Sequence, residues 1–134
     1  MKKYFFALVT LFASLTFAIQ KNPQIRNCVI AGGEFIVANT HKDQIGLCRF
    51  DKALIGALDF MYFNTKESIP LSVNSYMKDL KSCESNGEIE TIIILGGESL
   101  QTCAYSDGSY IELGTLIKGQ GSADNQKLNE VLGL

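Results

Sequence analysis

The chain has 134 residues, 46% of them hydrophobic and 19% charged, with 12 basic against 14 acidic side chains and a formal charge of −2. That is enough apolar material for a packed core at about the length of one domain. A mildly acidic balance with no basic run lacks the footprint of a nucleic-acid-binding protein and offers no polybasic patch to a membrane surface.

Lys2 and Lys3 open the chain, an apolar stretch runs from Tyr4 to Phe17, and Thr16-Phe17-Ala18 places small residues where a signal peptidase inspects. The apolar run is short of the roughly 20 residues that a bilayer span needs. Residues 1–18 therefore read as a secretory signal peptide cleaved near Ala18, and the protein as periplasmic or secreted. No cysteine ends the run, which argues against lipid attachment there. The later apolar stretch, residues 53–63, is interrupted by Asp59 and is too short to span, so membrane insertion is not expected.

Beyond the signal, a cysteine pair occurs twice with one spacing. Cys28 and Cys48 are 20 positions apart, as are Cys83 and Cys103, and the second pair follows the first at an offset of 55. The chain divides accordingly into a first cysteine-paired unit (residues 19–66), a second (67–119) and a tail (120–134). In unit one, Asn22-Pro23 starts a short helix that delivers Cys28 and stops at Gly32-Gly33. Residues 34–38 and 45–50 form a hairpin around a polar turn at residues 40–44. Asp51 then caps a closing helix over residues 52–63, where Leu54, Leu58, Met61 and Tyr62 recur at helical spacing.

In unit two the linker of residues 64–72, with Pro70, leads to a helix over residues 76–83 that ends at Asn86-Gly87. The equivalences are Ile25 with Leu80, Arg26 with Lys81, and Gly32 with Gly87. Strands follow at residues 90–95 and 100–105 about the turn Gly96-Gly97-Glu98-Ser99. The unalternating Ile92-Ile93-Ile94-Leu95 predicts a strand covered on both faces. Ser109-x-x-Glu112 has the form of a capping box for a closing helix ended by Gly119, with strand as the alternative near Tyr110 and Ile111. In the tail, Ser122 caps a last helix reaching Leu132. The predicted fold is α+β: two tandem disulfide-closed α-β-β-α units packed as a pseudo-symmetric pair.

In an oxidising compartment the duplicated spacing favours Cys28–Cys48 and Cys83–Cys103 as one disulfide per unit. Closing a loop of about 20 residues stabilises by roughly 3 kcal/mol in the chain-entropy model, which matters for units of this size. The close cysteine pairs of a zinc site are missing and there is one histidine, so no metal and no cofactor is expected. No residue is assigned a catalytic role. His41 sits in a turn beside Lys42 and Asp43 without a recognisable nucleophile motif. Glu84, Glu88 and Glu90 read as a solvated face, and the glycine pairs lack the Lys-Ser/Thr of a phosphate loop.

Asn22-Pro23-x4-Cys28-x3-Gly32-Gly33-x-Phe35 followed by Cys48-x-Phe50 resembles a family of small exported bacterial proteins labelled as hemolysins, which carry a short cysteine-paired domain of unknown function. The second unit follows the pattern through Cys103-x-Tyr105-Ser106-Asp107-Gly108-Ser109 and Ile111-Glu112. It departs from it where Asn-Pro is absent and Gly-Gly becomes Gly87-Glu88. The tryptophan usual after the acid is also missing. The resemblance implies the fold and an exported setting and transfers no activity.

The functional expectation is a non-enzymatic binding module of the bacterial envelope acting on an envelope or extracellular protein. Candidate contact residues are His41, Lys42, Phe60, Tyr62, Tyr105 and Tyr110, since aromatics dominate interface hot spots. For the aromatics, packing in the core between the two units is the competing and favoured reading. Peptidase inhibition through the turns at residues 40–44 and 96–99 is a sub-case, and a membrane-active hemolysin-like factor is the alternative. Oligomeric state is left open.

Overall fold

A computed structural model describes residues 22–83 and 86–134. The expected signal peptide lies outside the described residues. The elements run α1 (Pro23–Ile30), β1 (Glu34–Asn39), β2 (Gln44–Phe50), β3 (Ala53–Gly56), α2 (Ala57–Asn64), α3 (Leu71–Met77), β4 (Gly87–Ile94), β5 (Ser99–Tyr105), β6 (Tyr110–Glu112) and α4 (Leu113–Lys118). A 3-10 turn (Ala123–Asn125) then leads into α5 (Gln126–Leu132).

The class is α+β, but the architecture departs from two α-β-β-α units lying side by side. Six antiparallel strands close into one barrel in the order β1-β2-β3-β6-β5-β4. Each half supplies a three-stranded meander, and the meanders meet at two short seams. One seam pairs Ala38 with Ile94 and Asn39 with Ile93; the other pairs only Ile55 with Ile111. Both predicted disulfides form, with Cα–Cα separations of 5.7 Å for Cys28–Cys48 and 5.6 Å for Cys83–Cys103.

The third strand of the first meander was expected to be helix. In the second, strand was the alternative to helix near Tyr110 and Ile111, and it is the strand that forms there. Asp51 does not cap a helix; it takes a positive φ of 57° in the turn that lets β3 fold back on β2. Only after Gly56 does the chain become helical. In the other half the Ser109 hydroxyl donates to Asp107 Oδ1 at 2.6 Å, and Glu112 accepts from Thr115. The capping box therefore does not assemble, and residues 110–112 stay extended.

The helix expected over residues 76–83 lies earlier. Pro70, extended, immediately precedes α3, and positive φ values at Asp79 and Lys81 end the helical path before Cys83. Ile92 and Ile94 are buried whereas Ile93 and Leu95 are exposed, so that run is covered on one face, not two. The tail matches expectation: Ser122 accepts from Asp124 N–H and the last helix reaches Leu132.

Two cores result. Inside the barrel, Ala38, Leu47, Leu54, Ile92 and Ile94 pack together. Outside it, a larger cluster joins the helices to the outer faces of the strands through Phe50, Ile55, Phe60, Tyr76, Ile111, Leu116 and Leu128, with Cys28, Cys48 and Cys103. Phe50 and Phe60 meet edge to face at 5.1 Å.

A reciprocal clasp reinforces the narrow seam. Asp59, third residue of α2, accepts the Tyr110 N–H at 2.8 Å, while Thr115, third residue of α4, accepts the Leu54 N–H at 3.0 Å. Each helix thus satisfies a strand amide of the opposite half that the single Ile55–Ile111 pair leaves over. Gly56 makes room for the first clasp, because a Cβ there would overlap the Asp59 carboxylate.

Candidate functional site

Alternation along a strand sends successive side chains to opposite faces. Ile92 and Ile94 point into the barrel, so Glu90, on the same face of β4, does too, at the barrel mouth. It pairs in register with Thr102, whose hydroxyl donates to the Glu90 carbonyl at 2.9 Å. Tyr110 of β6 reaches the same carboxylate, with its hydroxyl 3.4 Å from Oε2. His41 closes the group from the β1–β2 turn, its Nδ1 lying 2.9 Å from Glu90 Oε1. The His41 side chain is 68% exposed and that of Glu90 only 16%.

The turn that carries His41 holds itself in place. Thr40 N–H donates to the Asp43 carbonyl at 2.7 Å, and the Thr40 hydroxyl accepts from the Lys42 and Asp43 amides. Burial pushes the Tyr110 phenol upward, and the neighbouring Glu90 charge adds to it.

The second titratable centre is the clasp carboxylate. Burial raises Asp59 to about 6, against the lowering effect of the Tyr110 amide and the Ser72 hydroxyl. Ser72 N–H in turn donates to Ser109 Oγ at 3.0 Å, and Asp107 accepts from Leu71 N–H at 2.8 Å. Burial acts to raise Asp107 as well, but the Leu71 amide together with the Ser109 hydroxyl and amide outweighs it and holds the carboxyl below its usual range. Ser72 and Ser109 are both buried, so this network ties α3 to β6 and offers no substrate access.

The sequence-predicted contact residues separate into two groups. His41 and Tyr110 come together through Glu90, and Lys42 lies exposed at the turn tip. Phe60 and Tyr105 are core residues, 0% and 6% exposed, and present no surface to a partner; both fill the layer beneath the helices. Tyr62 is half-buried on α2, where its carbonyl accepts from the Glu67 and Ser68 amides.

Phe63, the residue after Tyr62, lines an open groove. That groove of about 560 Å³ runs between the end of α2 and the end of α5. Phe63, Ile69, Val131 and Leu132 give it an apolar lining, with Lys66 and Glu130 as its charged residues. Ile69 is 59% exposed. Sequence reasoning missed the groove because its two sides lie more than sixty positions apart. Its one signal was an isoleucine, Ile69, following the polar run of residues 64–68 in the linker.

Among the described residues no group of three or more His, Cys, Asp or Glu could hold a metal ion, and no helix is long and apolar enough to cross a membrane. No family model, curated protein or solved structure matches the chain.

Proposed function

We propose that the protein is an exported binding module of the bacterial envelope that engages a protein partner without catalysis. The observation that carries this reading is the groove between α2 and α5. Its volume of about 560 Å³ is that of a built ligand site, and its apolar lining with a few charged groups is the usual composition of one. Lys66 and Glu130 supply one charge of each sign, so the occupant that fits is an extended peptide with an apolar side chain between an acidic and a basic residue. Two disulfides hold the scaffold in an oxidising compartment and limit the ordering entropy that binding would cost.

The resemblance to the hemolysin-labelled family supports the exported setting. The two meanders, with one register about their cysteines, support descent from two tandem copies packed about a pseudo-two-fold axis. Peptidase inhibition is the narrower form of the proposal. It is supported by the self-bonded turn at residues 40–43, which is already ordered for insertion into a cleft.

A photo-crosslinking residue placed at Ile69 in exporting cells tests the proposal. The expected result is one defined protein adduct, lost on Val131→Lys and absent when the crosslinker sits at Lys78. Adducts insensitive to Val131→Lys would sink the groove as the binding site.

A further inference from the structure

We infer that strand β4 is a self-association surface, where a second copy of this chain adds strand to strand about a two-fold axis. The first observation is an open edge. Ile94 N–H donates to Glu98 in the β5 direction, whereas Leu95 N–H donates to Val37 of the β1 side. Backbone direction alternates along a strand, so Ile89 and Thr91 turn their N–H and C=O groups toward the β1 side as well. The strand there has already ended: β1 stops at Asn39, opposite Ile93. Among the described residues no strand pairs with that edge from Gly87 to Ile92.

The second observation is the outer face of the same strand. Ile89, Ile93 and Leu95 are 58%, 51% and 59% exposed. Their neighbours on that face are Thr91 along the strand and Ser99, Gln101 and the disulfide-bonded Cys103 across it on β5. Val37 and Asn39 flank them on β1, and none of these residues is charged.

The two observations together select the occupant. An open edge asks for an extended strand, which neither a lipid surface nor a small molecule supplies. An uncharged face asks for an uncharged strand. Strand β4 itself meets both requirements, and an isologous contact places the same self-complementary surface on each partner. For a net-acidic chain, a face without charges is also where two copies approach with least repulsion. Glu90, on the opposite face, is already covered by its own protomer's His41 at 2.9 Å.

The test is sedimentation equilibrium of the oxidised mature protein, together with Thr91→Pro, Ile89→Lys and the groove variant Ile69→Lys. A reversible dimer is expected for the parent chain. Thr91→Pro removes an amide that faces solvent in the monomer, and should weaken the dimer at least about tenfold with the fold kept by circular dichroism. Ile89→Lys should do the same through the face if Thr91→Pro perturbs folding, and Ile69→Lys should leave association unchanged. A parent chain that stays monomeric at every accessible concentration overturns the inference, as does a dimer indifferent to both β4 variants. Flotation with anionic phospholipid vesicles that is lost on Ile89→Lys, with no dimer in solution, would reassign the face to lipid.

Discussion

The two halves of the barrel share a frame and fill it differently. In the β1–β3 half, Ile36 faces Leu47 one position before Cys48, and Leu54 precedes the cysteine's partner Ile55. In the β4–β6 half the corresponding positions hold Glu90, Thr102 and Tyr110. Three aliphatic residues complete a dry core on one side, while three polar ones meet at the mouth on the other. The disulfide and register are common to both, so the scaffold itself does not require polarity at those positions. What Glu90 gains there is His41, which ties the β1–β2 turn across the weaker part of a two-pair seam.

Exchanging residues between the halves tests that difference most strongly. Leu47 is 1% exposed, and Leu47→Thr would remove packed methyl groups and bury a hydroxyl without an assigned partner. It should cost about 3 to 4 kcal/mol in urea unfolding. Thr102→Val removes only the hydrogen bond to the Glu90 carbonyl and should cost about 1 kcal/mol. Equal losses would mean that the polar side is packed as tightly as the apolar one and that the contrast is one of chemistry alone.

The clasps differ in a way that pH can read, because Asp59 titrates and Thr115 does not. Folding raises Asp59 from 3.8 to about 6, so the folded state holds the proton more tightly. This contribution is fully present below about pH 4 and is lost as pH rises to about 6, by about 3 kcal/mol, and is level above that. Asp107, held below its usual range, acts in the opposite sense, being favourable at neutral pH and lost on acidification. The informative quantity is therefore the parent-minus-Asp59→Asn difference in unfolding free energy across this range. It should decline with rising pH, and a flat difference would show that Asp59 is not desolvated as its burial implies. Thr115→Val, compared at neutral pH, should give a loss of about 1 kcal/mol by leaving the Leu54 amide without its acceptor.

How much of this was legible in the chain follows from where each constraint resides. The disulfides were readable because a duplicated spacing is a local property, and the tail helix because Ser122 and the residues after it suffice. Strand β3 was not: Ala53 to Gly56 continue into α2 as one apolar run, and four buried residues carry no period that separates strand from helix. Ser109 and Glu112 matched a capping box, but Asp107 and Thr115 took their side chains first. Glu90 looked like one of several solvated acids because its partner, His41, is 49 positions away. Closure of the barrel depends on both meanders at once, so neither unit read alone could reveal it.

The repeat alignment itself shifts by one residue, and that shift yields the finest comparison. Sequence offset equates Gly32 with Gly87, but the contacts equate Gly33 with Gly87. Each lies over its own disulfide and the aromatic ring two positions after the second cysteine, Phe50 or Tyr105. A Cβ on Gly33 would overlap Cys48 Sγ and stand 2.9 Å from Phe50 and 3.0 Å from Cys28 Sγ. A Cβ on Gly87 would stand 3.1 Å from both Cys83 Sγ and Tyr105, and 3.2 Å from Cys103 Sγ. Phe50 is held edge to face by Phe60 in the core, so its ring has little room to give way. Gly33→Ala should therefore cost about 2 kcal/mol and Gly87→Ala about 1 kcal/mol, within the range for overpacking a filled site. The difference is read as a shift in the urea midpoint of the oxidised proteins. If Gly32→Ala proves the more damaging of the first pair through its positive φ of 91° alone, helix termination outweighs the cradle. The disulfide environment would then no longer explain why a glycine stands at that place in both halves.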